Sequence, residues 1–331
     1  MVQTMHGQER MSLWQSSVSR ISDFIHNGVT MSETAGLEKA DKDQKIIYTG
    51  PSPRGWHRLQ QAAECLQKYA WAYEAPKTEG SGSKSQALAK GSLLHLALAQ
   101  HYARIRASQC EDGSDHPDQW CSPEEAVELI AKLEKTDMYI KNTLDTFHAY
   151  LRMYDENGER QTMKILAVED LLSTTIGGKY LFTGRMDLVY EDLGGRIYVL
   201  DHKTTARLTA SHAQYYAISG QLLGYGHLAR QKYGDKFAGV KVNLIQHGDS
   251  PKFERITLPR AVNLESKFER IVVDIEESIE RMQASGREFD NWPKAVNEMT
   301  CFGRYGACSF IDQCRNGYGA KKAGNWTWKD L

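Results

Sequence analysis

A run of three β-type segments between residues 163 and 205 is the feature that most constrains the fold of this chain. The segments KILAVEDLLST, KYLFTGRMDLVYE and RIYVLDHKTT are rich in β-branched and aromatic residues. The last two are separated by Asp192-Leu193-Gly194-Gly195, which is typical of a hairpin turn. Helical patterns precede and follow the run, and two more strands are predicted near 240–248 and 252–258. We therefore predict an α/β (α+β) fold with a mixed central sheet flanked by helices.

The composition limits the class of protein without deciding its function. The chain has 331 residues, and 41 Lys+Arg against 42 Asp+Glu give a formal net charge of -1. That balance excludes a generally basic nucleic-acid coat, although a local basic channel remains compatible with it. We predict a polar tail with one amphipathic helix at 1–45, a helical region at 46–160, a sheet-bearing core at 161–290 and a cysteine-bearing segment at 291–331. Residues 46–331 are expected to form one compact unit.

Targeting signals and cysteine usage predict the compartment. The N-terminal sequence has no apolar run of signal-peptide type, and no later segment resembles a membrane span. We expect a cytoplasmic protein that is neither secreted nor bound to a membrane. In that compartment the six cysteines do not indicate a disulfide framework.

The third predicted strand carries the sequence Asp201-His202-Lys203. Asp201 and Lys203 are two residues apart and therefore project from one face of a strand. Symmetry of the hairpin about Gly194 places Asp187 opposite Asp201, with Cβ atoms about 5 Å apart. Opposed carboxylates are destabilising unless positive charge lies between them, so we predict a site for Mg²⁺ or Mn²⁺. Lys203 would lie beside the metal, where it can orient or deprotonate a water.

A purely structural alternative exists for these residues. Two acids at an exposed sheet edge, with Lys203 as their ion-pair partner, would need no metal. However, Ile197, Val199 and Leu200 make the strand apolar on both faces, which predicts a central, buried strand. Buried acids are hard to explain by structure alone, and this favours the metal site.

These residues resemble a known nuclease signature. GRMD ending at Asp187, followed by a strand ending in Asp201-His202-Lys203, is similar to the PD-(D/E)xK signature in the proline-free form of the RecB/AddB-like exonuclease branch. Gly91-Ser92-Leu93-Leu94-His95 resembles the upstream G-x-x-x-H motif of that branch. Gln221-Leu222-Leu223-Gly224-Tyr225 resembles its downstream Q-x-x-x-Y motif. The resemblance covers about residues 50–315, and the motifs occur in the expected order.

The resemblance implies a role for each matched residue, beside a simpler role in packing. His95 lies on an amphipathic helical pattern and could be a core histidine, and Gln221 and Tyr225 share a helix face that could serve packing alone. Glu169 and Gln214 are possible accessory residues. The implied metal ligands are His95, Asp187 and Asp201, and the implied catalytic residues are Asp187, Asp201, Lys203, Gln221 and Tyr225.

Three of the six cysteines lie close together near the C-terminus. Their spacing contains no C-x-x-C, so the usual zinc-ribbon signal is missing, whereas iron–sulfur clusters tolerate looser spacing. The resemblance to iron–sulfur members of the branch, which include CRISPR-associated and phage exonucleases, implies a fourth ligand upstream of the core. Zinc and free buried thiols remain alternatives, and Cys110 or Cys121 could substitute for the upstream ligand. The implied [4Fe–4S] ligands are Cys65, Cys301, Cys308 and Cys314.

Candidate DNA contacts lie on the helix that contains Cys65. Arg54, Arg58 and Lys68 could line a path for a DNA strand, although an ordinary solvated basic face would show the same pattern.

Together the motifs predict a metal-dependent DNA nuclease of bacterial or phage origin. The resemblance implies 5′-phosphate products and exonuclease action on single strands or DNA ends, in recombination, repair, phage DNA metabolism or CRISPR adaptation. No G-x-x-x-x-G-K-[ST] loop is present, so a helicase or recombination partner would be a separate chain. Two alternatives stay open: a catalytically quiet DNA-binding subunit and a redox-sensing iron–sulfur protein.

Overall fold

The computed structural model describes residues 37–38, 44–47, 49–75, 86–303 and 306–317. The amphipathic helix predicted within residues 1–45 lies outside these described residues. Within them, no helix combines the length and the hydrophobicity that crossing a membrane would require.

A five-stranded mixed sheet organises the fold. Two short strands, β1 and β2, pair separately near the N-terminus, and the sheet has the order β3-β4-β5-β6-β7. The β5–β6 pair is parallel, whereas β4–β5 and β6–β7 are antiparallel. This arrangement confirms the predicted mixed sheet flanked by helices. The strands are β1 (Leu37–Glu38), β2 (Lys45–Ile46), β3 (Met163–Ile176), β4 (Tyr180–Asp192), β5 (Ile197–Thr205), β6 (Phe237–Gln246), β7 (Lys252–Thr257), β8 (Phe302–Gly303) and β9 (Gly306–Ala307).

The β4–β5 hairpin has the predicted register. Leu188 pairs with Leu200 and Glu191 with Ile197, as symmetry about Gly194 requires. The turn forms because the Asp192 carboxylate accepts hydrogen bonds from the backbone N–H groups of Gly194 and Arg196, both at 2.9 Å. Asp187 and Asp201 are thus the next facing positions beyond the last described pair.

Helices provide the remaining regular structure. Ser122 caps the N-terminus of α4 and forms a capping box with Glu125. A short π-helix (Ala70–Glu74) follows α2. The α-helices are α1 (Trp56–Glu64), α2 (Leu66–Tyr69), α3 (Gln86–Ser108), α4 (Pro123–Glu134), α5 (Ile140–Tyr154), α6 (Glu159–Thr162), α7 (His212–Ala217), α8 (Gly220–Tyr233), α9 (Val262–Glu265), α10 (Phe268–Ala284), α11 (Glu298–Cys301) and α12 (Ile311–Asn316).

Two helical segments are each interrupted. Between α1 and α2 the interruption lies at Cys65, whose backbone is extended (φ -165°, ψ 114°). Between α7 and α8 it includes Ser219, which is also extended and caps the N-terminus of α8. Both breaks matter below, since one positions a cysteine and the other separates Gln214 from Gln221.

The described chain divides into two compact units. The first comprises described residues within Met1–Pro53, Lys84–Thr174 and Thr183–Ser266. In it, His202 and Lys203 of β5 face opposite sides of the sheet. The ring of Tyr102 from α3 stacks on His202, whereas Gln221 from α8 bonds Lys203. Helices α3 and α8 therefore cover opposite faces of this strand.

The second unit comprises described residues within Arg54–Ser83, Thr175–Phe182 and Lys267–Leu331. Its apolar contacts are largely aromatic. The Phe268 ring packs edge-on against Phe182 at 5.4 Å, and Trp292 stacks on Tyr69 at 6.0 Å. Such pairs add to the stabilisation that burial itself provides.

Candidate active site

Helix α3 carries the histidine of the G-x-x-x-H pattern to the first acid of the site. At Gly91 the helix approaches β5 so closely that a Cβ would lie 3.1 Å from Thr204 Oγ1. One turn later, His95 Nδ1 lies 3.5 Å from Asp187 Oδ2. The glycine therefore permits the close packing that brings the histidine within reach of the carboxylate.

Glu169 completes a group of three potential ligands. His95, Glu169 and Asp187 each offer one ligand atom, and these atoms all lie within 4.8 Å of one another. Glu169 has a left-handed backbone conformation (φ +51°), and it is buried together with its neighbour Val168. This break in the strand's inward–outward alternation turns the carboxylate toward the site. The sequence had suggested only an accessory role for Glu169.

The charges of this group are poorly stabilised by the protein alone. Burial raises the pKa of Asp187 to about 6, despite the opposing effect of Lys203. Burial, together with the neighbouring Asp187, raises the pKa of Glu169 well above its usual range. Burial also lowers the pKa of His95 to about 4, so its imidazole is neutral at physiological pH.

The donor set fits a hard divalent cation. Carboxylate oxygens with one neutral imidazole nitrogen are ligands that Mg²⁺ and Mn²⁺ accept. Burial is the main cause of both raised pKa values, and it outweighs the opposing effects of Lys203 on Asp187 and of Arg185 on Glu169. Buried acids with raised pKa values are typical of functional sites, including metal sites.

Asp201, the other acid predicted as a metal ligand, forms an ion pair with Lys203. It is only 1% exposed, and both of its carboxylate oxygens lie near Lys203 Nζ, at 2.9 and 2.7 Å. Burial raises the pKa of Asp201 to about 6, and Asp187 contributes to this. Asp201 is therefore electrostatically part of the acidic site, although it is not among the three clustered ligands. We refer to Glu169, Asp187 and Asp201 as the carboxylate cluster.

Lys203 is held by a chain of polar side chains from α8. Its Nζ donates to Gln221 Oε1 at 3.0 Å, and Gln221 Nε2 donates to the Tyr225 hydroxyl at 2.9 Å. Although burial alone would lower the pKa of Lys203, the neighbouring Asp201 and Asp187 outweigh it and raise that pKa. The two acids therefore favour the ammonium form of Lys203, in which it can orient a water.

Gly184, three residues before Asp187, allows α8 to approach the sheet. A Cβ at this position would lie 2.7 Å from Leu228 Cδ1 and 3.1 Å from the Tyr225 ring. The first residue of the GRMD sequence therefore serves packing around Tyr225. Gln214, by contrast, is exposed on α7 and separated from Gln221 by the break at Ser219.

A comparison with protein families identifies the chain at this point. The PD-(D/E)XK nuclease superfamily model matches residues 56–315, a range that contains every residue of the site. The chain belongs to the PD-(D/E)XK nuclease superfamily. No curated protein sequence matches this nuclease.

Two solved structures are similar to this nuclease. One is a protein from Eubacterium rectale named "Putative exonuclease", with a TM-score of 0.43 and 15% identity, covering 89% of this chain and 96% of the other. The second is the protein named SSO0001, with a TM-score of 0.28 and 16% identity, covering 67% of this chain and 85% of the other.

The nuclease also gathers four of its cysteines in the second unit. A small cavity is lined by the four thiols predicted as ligands, together with Lys68, Trp71 and Lys294. The extended backbone at the break between α1 and α2 places one of them there, and the other three come from the segment 301–314. Burial raises the pKa of the Cys314 thiol, and the other three thiols add to this. The four are Cys65, Cys301, Cys308 and Cys314.

The predicted DNA contacts on α1 and α2 are only partly at the surface. Contrary to the prediction, Arg58 is buried, at 3% exposure, where it forms an ion pair with Glu276 and donates to the Tyr69 hydroxyl. Its partner lies more than 200 residues away, so the sequence could not reveal the pairing. Lys68 is half-buried beside the cysteine cavity and bonds Glu64, whereas Arg54 is exposed.

Proposed function

We propose that this chain is a metal-dependent deoxyribonuclease that hydrolyses phosphodiester bonds at single strands or DNA ends. The observation that carries the proposal is the grouping of His95, Glu169 and Asp187 beside the Asp201–Lys203 pair. Superfamily membership supports a nuclease and a DNA substrate. The exonuclease mode and the 5′-phosphate products are finer proposals that come from the motif resemblance.

The proposed mechanism assigns each side chain one task. His95, Glu169 and Asp187 would hold Mg²⁺ or Mn²⁺, with Asp201 nearby. A bound cation would supply the positive charge that neutralises the carboxylates and polarises the scissile phosphate. The backbone N–H of His202 holds Asp187 Oδ2 at 2.7 Å and so fixes the orientation of that carboxylate.

Lys203 is proposed to act as a hydrogen-bond donor and a positive charge. An ammonium has three N–H donors, and among the described residues Lys203 directs them to Asp201 and Gln221. The remaining N–H can orient a water or bind a phosphate oxygen on which negative charge develops. Gln221 and Tyr225 keep the ammonium in place.

A surface near Lys203 supports a single-stranded substrate. The Tyr216 hydroxyl on α7 lies close enough to Lys203 to contribute to its raised pKa. Its neighbour Tyr215 is 48% exposed, and Ile218, one turn further on, is 65% exposed. Arg207, in the segment between β5 and α7, is exposed as well. Aromatic rings beside a basic side chain are typical of surfaces that stack unpaired bases.

We further propose a [4Fe–4S] cluster at the four cysteines. All four thiols line one cavity, which supports a common ligand. Four thiolates suit either tetrahedral zinc or an iron–sulfur cluster. The lack of a C-x-x-C pair and the motif resemblance favour the cluster.

The nuclease proposal is tested with end-labelled oligonucleotides. We expect the wild type to cleave single strands in the presence of Mg²⁺ or Mn²⁺ and to release 5′-phosphate products. The Asp187→Asn variant should not cleave them. Duplexes and substrates with blocked ends distinguish end-dependent from internal cleavage. Binding without cleavage would indicate the catalytically quiet DNA-binding alternative.

The cluster proposal needs a separate test. Protein purified without oxygen should contain iron and acid-labile sulfide at about four each per chain, as a [4Fe–4S] cluster requires, and Cys314→Ser should lose both. Colourless protein that contains zinc would refute the assignment. A cluster that changes colour reversibly on reduction, in a protein that neither binds nor cleaves DNA, would favour the redox-sensing alternative.

A further inference from the structure

A buried network of polar side chains lies in the first unit, on the face of β5 that α3 covers. Its centre is two tyrosines, from α3 and α5, whose hydroxyls are 2.6 Å apart. All the members except Arg255 are at most 6% exposed, and the Arg255 side chain is 16% exposed. We call this set the tyrosine network; its members are Tyr102, Tyr150, Glu159, Asn243 and Arg255.

The hydrogen bonds of the tyrosine network have one consistent direction. The Tyr150 hydroxyl accepts from Arg255 Nη2 at 2.9 Å and from Asn243 Nδ2 at 3.2 Å. With both lone pairs occupied, Tyr150 donates its proton to Tyr102, which in turn donates to Glu159 Oε2 at 2.7 Å. Arg255 closes the circuit by pairing with Glu159. Each hydroxyl therefore has one defined role.

The network ends at His202, the middle residue of the Asp201-His202-Lys203 sequence. Asn243 Nδ2 donates to His202 Nδ1 at 2.9 Å. The Tyr102 ring stacks on the His202 ring, with centroids 5.9 Å apart and planes inclined by 13°. The imidazole is therefore held by a hydrogen bond in its plane and by a ring against its face.

His202 in turn touches two of the proposed metal ligands. Its backbone N–H donates to Asp187 Oδ2 at 2.7 Å. Its ring lies edge-on to the His95 ring, with centroids 6.1 Å apart and planes at 87°. His202 therefore contacts one ligand through its ring and holds the other through its backbone N–H.

We propose that the tyrosine network consists of positioning residues that lock His202 and thereby hold Asp187 and His95 in the geometry that binds the cation. This inference rests on the proposed metal-dependent function. Replacing a buried ion pair by well-packed apolar residues of similar volume often leaves the stability of a protein unchanged or raises it. Stability alone therefore does not explain a buried network with an ion pair and two tyrosine hydroxyls. Groups that orient metal ligands from behind typically change metal affinity or activity by about 10- to 100-fold when removed.

The experiment compares three variants of the full chain. Tyr150→Phe and Asn243→Leu each remove hydrogen bonds of the network with little change of volume. Val127→Ala, in the same apolar core but outside the network, serves as a control for loss of stability. One readout is the Mn²⁺ concentration for half-maximal cleavage, set against the rate at saturating Mn²⁺. The other is amide hydrogen exchange at His202 in the metal-free protein, which requires no activity.

We expect the two network variants to need an Mn²⁺ concentration at least about 10-fold higher for half-maximal cleavage. They should keep most of the cleavage rate at saturating Mn²⁺. Their His202 amide hydrogen should exchange faster than that of Val127→Ala. Unchanged Mn²⁺ dependence and His202 exchange equal to that of the control would overturn the inference. If the wild type shows no metal-dependent cleavage, the proposed function fails, and the His202 exchange comparison still decides whether the network positions this residue.

Discussion

The two faces of strand β5 differ in how their buried charged side chains are paired. On the face toward α3, the tyrosine network contains one acid and one arginine, and every hydroxyl proton has an acceptor. On the other side, the carboxylate cluster gathers three acids, and burial raises the pKa values of all three despite the nearby Lys203 and Arg185. One face pairs its acid with its arginine, whereas on the other the positive charges do not offset the burial of three acids.

This difference predicts that only one of the two sides needs a cation. A network of paired polar groups stabilises one arrangement of side chains without a ligand from solution. We propose that the carboxylate cluster is unfavourable in the metal-free protein and would become favourable with a bound cation. The comparison predicts that equivalent substitutions on the two sides will change stability in opposite directions.

The largest expected effect concerns catalysis by the carboxylate cluster. Asp187→Asn keeps the shape of the side chain but removes a charged ligand, so we expect cleavage to fall by about 10³-fold or more. Asp170→Asn is the matched control, because this acid lies next to Glu169 in sequence but pairs with Lys232. Single-turnover cleavage measures both variants, and similar losses in the two would argue against a special role for the cluster.

The tyrosine network should show the largest loss of stability. Glu159→Gln leaves the buried Arg255 guanidinium without its charged partner, which we expect to cost about 3–5 kcal/mol of unfolding free energy. Urea unfolding provides the measurement. A cost below about 1 kcal/mol, the usual value of an exposed ion pair, would mean that Glu159 and Arg255 do not behave as a buried ion pair.

Metal-free Asp187→Asn should be more stable than the wild type at neutral pH. The folded-state pKa of Asp187 is raised to about 6, above its unfolded value of about 3.9. The wild type therefore loses stability, relative to the variant, as the pH rises between these two values, and the full penalty persists above them. We expect a difference on the order of 1–3 kcal/mol at pH 7.5 that vanishes near pH 3.5. Thermal unfolding in chelator across this range checks the prediction, and a difference independent of pH would contradict it.

The smallest effect sharpens the role of the GRMD glycine. Gly184→Ala forces a Cβ to within 2.7 Å of Leu228, which we expect to cost about 1–3 kcal/mol and to displace Tyr225 from Gln221. Gly226→Ala is a control on α8 itself, where the new Cβ would lie 3.8 Å from its nearest neighbour. Denaturation of both variants should show a loss of unfolding free energy only for Gly184→Ala. Equal unfolding free energies for the two variants would contradict the claim that close packing at position 184 requires glycine.

The sequence predicted those parts of the molecule that depend on local patterns. The register of β4 and β5 followed from a turn whose Asp192 bonds its own neighbours. The placement of His95 and Gln221 near the acids followed from motif order. Such features depend on spacing along the chain, which a sequence displays directly.

Other parts depend on tertiary contacts and backbone conformations that no spacing encodes. The inward turn of Glu169 requires a left-handed residue within a strand, and glutamate gives no sign of it. The burial of Arg58 depends on Glu276, far along the chain. Nothing in the sequence distinguishes Tyr102, Tyr150 and Asn243 from ordinary residues of a helix or strand. Only the folded chain brings their polar groups together.

Mn²⁺-dependent thermal unfolding tests most directly whether the carboxylate cluster is completed by a cation. At a metal concentration about 100 times the dissociation constant, binding should stabilise the wild type by about 2.7 kcal/mol. Asp170→Asn, which removes an acid that pairs with Lys232, should still gain stability from Mn²⁺, whereas Asp187→Asn should gain little or none. An identical response of Asp187→Asn and the wild type, or no response of the wild type, would contradict the account.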